Sequence, residues 1–170
     1  ILIEAGADPQ VLIGGNFPYI NGNYRKGSGC IVAEACEYKR NFLSLKPVVA
    51  VLLNTDNDHM DYYKSAQDVI DAYSHFANNI KEGGCIVING DDKGGIQIDS
   101  GANVITYGKE PHCIVKADNI KSWRGKYTFD ITVSGQPAAK IRLKVLGKHN
   151  IYNALAAYSA ATAMGVPPDQ

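Results

Sequence analysis

Gly83-Gly84-Cys85-Ile86-Val87-Ile88-Asn89-Gly90-Asp91-Asp92 is the stretch on which the fold turns. An apolar run of strand length lies between a glycine pair and Asn-Gly, and it does not alternate with polar residues. Such a run suits a strand covered on both faces, as in a parallel sheet. Upstream, Ser65 is placed to cap a helix through about Lys81, with Val69, Ile70, Tyr73, Phe76, Ala77 and Ile80 on one stripe. Gly83-Gly84 closes that helix.

The alternation continues outward. Residues 30–35 and 47–53 are two further apolar runs of strand length. Residues 11–13 make a short strand running into Gly14-Gly15. Residues 16–29 read as a loop, with Pro18, Gly22, Gly27 and Gly29 among polar neighbours. Residues 1–5 resemble the end of a helix stopped at Gly6, with Pro9 just beyond. Downstream the pattern changes: residues 103–107, 112–121, 127–133 and 139–145 are strand candidates, several alternating in polarity. Gly135-Gln136-Pro137 is a turn signal between two of them. Residues 150–164 form an Ala-rich helix ended by Gly165 and Pro167-Pro168. The fold class is α/β: a mostly parallel sheet flanked by helices, with an appended antiparallel strand section.

The chain has 170 residues, enough for one domain. Lys+Arg and Asp+Glu are both 17, and this balance argues against a nucleic-acid binder, which usually shows a basic excess. No apolar run approaches the roughly 20 residues of a membrane-spanning helix. Cys30, Cys36, Cys85 and Cys113 form no C-x-x-C pair, which leaves zinc ribbons and redox motifs unsupported. Reduced thiols acting as small hydrophobes are expected, and with them a reducing cytoplasm. The start lacks Met and any signal-peptide pattern, so residues 1–170 are expected to be a fragment.

Three constellations could carry chemistry. Glu34-Ala35-Cys36-Glu37-Tyr38 follows an apolar strand, and a carboxylate there sits where open α/β sheets bind ligands. It could hold a hard cation such as Mg²⁺, or be a pair of surface acids. Asn54-Thr55-Asp56-Asn57-Asp58-His59-Met60-Asp61 also follows a strand and could bind a metal, His59 coordinating through imidazole. The alternative is a polar turn before the Ser65 helix. Glu34 and the segment ending at His59 are expected at adjacent strand ends. Gly147-Lys148-His149-Asn150-Ile151-Tyr152-Asn153 opens the last helix, and Asn150 and Asn153, three apart, share a face. Their amides carry both donor and acceptor, matching an adenine edge; ordinary capping would explain Asn150 alone. No G-x-x-x-x-G-K-S/T phosphate loop occurs, so a nucleotide reading needs that loop from outside these residues.

In this order, the segments resemble the central domain of the Mur ligase family. The resemblance runs through Glu4-Ala5-Gly6-Ala7-Asp8-Pro9, Ile13-Gly14-Gly15, residues 32–38, Asn41-Phe42-Leu43, residues 54–61, Asn89-Gly90-Asp91-Asp92 and residues 147–157. It implies an ATP-dependent carboxylate–amine ligase of peptidoglycan precursor synthesis, bacterial and cytoplasmic, with ATP and Mg²⁺ as cofactors. The implied substrates are UDP-N-acetylmuramate and L-alanine. The alternatives are a relative that returns a murein tripeptide to the same sugar nucleotide, and a non-catalytic binding domain that keeps the fold.

By the resemblance, Glu34 matches a Mg²⁺-binding glutamate and His59 a ligand of a second Mg²⁺ near the reacting carboxylate. His149, Asn150 and Asn153 match the adenine side of the ATP site, while Asn23, Glu37 and Tyr38 lie in segments facing the UDP-sugar. Some relatives carry a carbamylated lysine about four helical turns after the histidine; here that stretch reads Tyr73-Ser74-His75-Phe76, and His75 receives no such role. The family's phosphate loop, uridine-binding amino-terminal domain and carboxyl-terminal domain are not in residues 1–170. Alone, this chain is expected to be inactive.

Overall fold

The computed structural model describes residues 1–56 and 61–168. Its larger sheet has six strands in the order β4-β5-β6-β7-β8-β9. β4 (Val49–Leu52), β5 (Cys85–Asn89), β6 (Asn103–Gly108) and the start of β7 (Val115–Trp123) run parallel. β8 (Lys126–Val133) and β9 (Gln136–Arg142) continue it antiparallel.

The β5 run reads as it does because its side chains serve two cores. Ile86 and Ile88 pack in one cluster with Ala50, Leu52, Val69, Ala72 and Phe76. Val87 points the other way, into a cluster with Tyr107, Phe129, Ile131, Ile151 and Leu155. Helix α1 (Ala66–Asn78) covers the first face and α2 (His149–Ala163) the second. Ser65 caps α1 as expected, its hydroxyl accepting the Asp68 N–H at 3.1 Å. The four cysteines are free thiols. Among the described residues no helix is long and apolar enough to cross a membrane.

Several expectations change. Residues 16–29 are not simply a loop: β1 (Gln10–Phe17) extends into them and pairs antiparallel with β2 (Gly22–Arg25). With β3 (Ile31–Ala33), parallel to β1, these strands form a separate sheet in the order β2-β1-β3. Pro18 opens a 3₁₀ turn, but Gly22 begins β2 itself, whose four residues Gly-Asn-Tyr-Arg carry no apolar run. β3 itself is exposed, Ile31 at 68% and Val32 at 39%, so its apolar run does not mark coverage on both faces. β6 joins the parallel part of the large sheet, and the antiparallel section is β7–β9 alone. The turn before β9 is Ser134-Gly135, both with positive φ, and Pro137 lies inside β9, an edge strand where a missing N–H is tolerated.

A tight crossing fixes the small sheet. A Cβ on Gly29 would fall 2.0 Å from the Ala7 carbonyl oxygen. Beside it Asp8 accepts the Ser28 N–H and hydroxyl and pairs with Arg25, each at 2.8 Å.

Candidate nucleotide site

The loops at the carboxyl ends of β4, β5 and β6 are stitched together by two adjacent aspartates, at the position where open α/β sheets bind ligands. Asp92 accepts the Thr55 N–H and hydroxyl, both at 2.8 Å, and the Gly95 N–H at 3.1 Å. This ties the loop after β4 to the loop after β5. Asp91 accepts the backbone N–H groups of Lys109 at 3.0 Å and Glu110 at 3.1 Å, beyond β6. It also accepts the Tyr152 hydroxyl at 2.8 Å, which brings the start of α2 to the same end of the sheet. Burial alone would push the Asp91 carboxyl up; the donors from Tyr152, Lys109, Glu110 and Cys113 outweigh it and hold it below its usual range. The Cys113 thiol, desolvated and facing Asp91, is pushed up to about 11. Tyr107 is buried, and its hydroxyl donates to the Leu52 carbonyl at 3.2 Å.

His149, Asn150 and Asn153 are brought together on the first turn of α2. The Asn150 amide donates to the Leu146 carbonyl at 2.8 Å and lies 3.1 Å from His149 Nε2. Its Oδ1 accepts from Asn153 Nδ2 at 3.0 Å. Asn150 is therefore not the helix cap. Lys148 holds that position and makes no side-chain capping bond. His149 and Asn153 are exposed, and Asn150 is half-buried.

Glu34 is placed differently from expectation. It follows β3, in the small sheet, whereas Asn54 follows β4 at the edge of the large one. The two segments are not at adjacent ends of one sheet, because β1 and β3 pair apart from β4. The Glu34 carboxylate is exposed, and its Oε2 accepts the Gly14 N–H at 2.6 Å. Mg²⁺ is commonly held by one or two carboxylates together with waters and substrate phosphates, and an exposed carboxylate fits that donor set. Among the described residues no group of three or more His, Cys, Asp or Glu could by itself hold a metal. His59 lies outside the described residues.

The residues expected near a sugar nucleotide fall on separate elements. Asn23 is exposed on β2. Glu37 and Tyr38 begin the 3₁₀ segment leading toward β4, where the Glu37 carbonyl accepts the Tyr63 hydroxyl at 2.6 Å and the Tyr38 ring meets Tyr62 edge-on.

Sequence reasoning gave no role to Asp91, Asp92, Lys109 or Tyr152. Its one available signal was the Asn-Gly-Asp-Asp run directly after the buried strand.

A parallel sheet covered on both faces, with the loops at its carboxyl end gathered beside a helix start, is the arrangement in which open α/β proteins bind ligands. Residues 19–161 match the Mur ligase middle domain, and the chain belongs to that family. It is 40% identical over 99% of its length to the UDP-N-acetylmuramate–L-alanine ligase of Clostridium novyi (strain NT), and spans 37% of that relative's length. Among solved structures it resembles the UDP-N-acetylmuramate:L-alanyl-γ-D-glutamyl-meso-diaminopimelate ligase of Neisseria meningitides, with a TM-score of 0.86 at 26% identity. That match covers 99% of this chain and 56% of the other. The UDP-N-acetylmuramate–alanine ligase of Thermotoga maritima shares the fold with a TM-score of 0.82 at 24% identity, over 96% of this chain and 37% of its own.

Proposed function

We propose that this chain is the central, ATP-binding part of a ligase that joins L-alanine to UDP-N-acetylmuramate in peptidoglycan precursor synthesis. The observation that carries the reading is the 40% identity to an L-alanine ligase over 99% of the chain. The position of His149, Asn150 and Asn153 beside the loops at the sheet's carboxyl end supports it. On this reading the phosphate loop, the uridine site and the amino-acid site belong to parts of the ligase outside residues 1–170, and the protein works in a reducing cytoplasm.

A carboxylate is a poor electrophile. A substrate carboxylate oxygen attacks the γ-phosphorus of ATP, ADP leaves, and an acyl phosphate forms. The L-alanine nitrogen then attacks the carbonyl carbon, loses a proton, and phosphate departs with the former carboxylate oxygen. When bound, Mg²⁺ supplies neutralisation of the charge on the transferring phosphoryl group. Glu34 would hold one such ion and His59 a second, near the reacting carboxylate. The amides of Asn150 and Asn153, with His149, orient the adenine, since an amide pairs its donor and acceptor with the ring edge. Asn23, Glu37 and Tyr38 lie in the segments assigned to the sugar-nucleotide side.

The likeness to the Neisseria enzyme favours a second reading, with a murein tripeptide in place of L-alanine. Phosphate release by the complete ligase, with each substrate omitted in turn, separates them. Release is expected only when ATP, UDP-N-acetylmuramate and L-alanine are all present. Release driven by the tripeptide and not by L-alanine would establish the second reading; no release with either would indicate a binding domain without chemistry.

A further inference from the structure

Asp91 collects donors from elements far apart in the chain. The Tyr152 hydroxyl from α2 reaches Oδ2 at 2.8 Å, and the backbone N–H groups of Lys109 and Glu110 arrive at 3.0 and 3.1 Å. Cys113 Sγ lies 3.6 Å from Oδ1. A carboxylate whose two oxygens are occupied in this way is poorly placed to act as a base or a metal ligand. Its consequence is mechanical: it holds Tyr152.

Tyr152 is bracketed by Asn150 and Asn153. At about 100° per residue, it points well away from the face that those two share. Its hydroxyl reaches inward to the loop after β5, whereas Asn153 is exposed and Asn150 half-buried on the other side. The Lys109 ammonium lies 5.2 Å from the centre of the Tyr152 ring, on the same inner side. Lys148 makes no side-chain capping bond, and the Asn150 amide bonds only within the helix start. The Tyr152 hydroxyl, bonded to Asp91 and also to the Lys109 side chain, thus ties the first turns of α2 to the loops after β5 and β6.

We infer that Asp91 is a positioning residue for the nucleotide: through the Tyr152 hydroxyl it sets the rotation of the first turn of α2, and so the direction in which Asn150 and Asn153 present their amides. The inference rests on the adenine reading proposed above. Paired donor–acceptor recognition tolerates only about 0.5 Å and 10–20° of misplacement, so a small rotation of the turn weakens contact with the base while leaving the reacting groups in place.

The test is steady-state kinetics of the complete ligase carrying Tyr152→Phe, which removes one oxygen and keeps the ring. The expected result is a KM for ATP raised about fivefold, with kcat and the KM values of the other two substrates within about twofold. The preference for ATP over GTP in kcat/KM should fall by a similar factor, which a merely structural role would not produce. Asp91→Asn should shift the same parameters in the same direction; if it does not fold, Tyr152→Phe alone decides. Asn153→Ala separates the two claims. If Asn153→Ala weakens ATP use and Tyr152→Phe matches the wild type, the adenine reading stands and the positioning role is overturned. Unchanged ATP use and ATP-over-GTP preference in Asn153→Ala removes the adenine reading, and the inference with it. A rise in all three KM values together, or a lowered melting temperature alone, also overturns it.

Discussion

Asn153 Nδ2 donates to Asn150 Oδ1 over 3.0 Å, so the two amides of the first turn of α2 are oriented as a pair. Asn150 is the inner partner, already bonded to the Leu146 carbonyl at 2.8 Å, and Asn153 is the exposed one. The two amides are linked, and a change at either member disturbs the other.

Asn150→Asp keeps the oxygen that Asn153 uses but replaces the donor to Leu146 with a second carboxylate oxygen. Were Asn150 only a cap, this change would be nearly neutral, since Asp caps about as well. Its place inside the helix makes the substitution informative. On the adenine reading the carboxylate also takes the donor away from the ring edge; loss of one such contact costs about 1–3 kcal/mol, so KM for ATP in the complete ligase should rise roughly tenfold. Asn153→Ala should act similarly. Melting temperatures should stay within a few degrees, because neither side chain packs in a core; unchanged ATP dependence in both variants would refute the adenine assignment.

Glu34→Ala should lower turnover by on the order of 100-fold or more while leaving the fold intact. The side chain is exposed, and its bond to Gly14 N–H lies at the edge of the small sheet, so little packing is lost. The Mg²⁺ concentration for half-maximal rate should rise in parallel. His59→Ala should also lose most turnover. Near-normal rates in either variant would remove that residue from the metal-holding set.

Part of this was legible in sequence and part was not, for physical reasons. The α1 cap at Ser65 and the β5 run were readable because each depends on neighbours within a few positions. The exposure of Ile31 was not, because the same apolar run can be covered or open depending on tertiary partners. Strand direction was likewise hidden: nothing local marks β6 as parallel to β5. Asp91 escaped because its donors stand 18, 19 and 61 residues away, a convergence without a spacing. The Asn150–Asn153 pair was visible because helical geometry makes positions three apart into neighbours.

Acid should loosen the small sheet. The Ser28 N–H, the Arg25 guanidinium and the Ser28 hydroxyl hold Asp8 at about 2, against an ordinary 3.8. A depressed carboxyl stabilises the fold above its unfolded value, and the contribution is lost as pH falls from about 4 through about 2. Asp8→Asn removes this dependence, and Asn tolerates the positive φ found there. Melting temperatures measured from pH 5 to pH 2.5 should therefore fall more steeply for the wild type than for Asp8→Asn. Parallel curves would contradict the assignment.

If this chain serves ATP-driven amide formation through an acyl phosphate, one oxygen of the substrate carboxylate must end in the released phosphate. UDP-N-acetylmuramate labelled with ¹⁸O in its carboxylate is turned over by the complete ligase with ATP and L-alanine, and the released phosphate is analysed by mass spectrometry. The expected result is one ¹⁸O atom in each phosphate, carried from the carboxylate when the amine displaces it. Unlabelled phosphate formed alongside the amide product would contradict it.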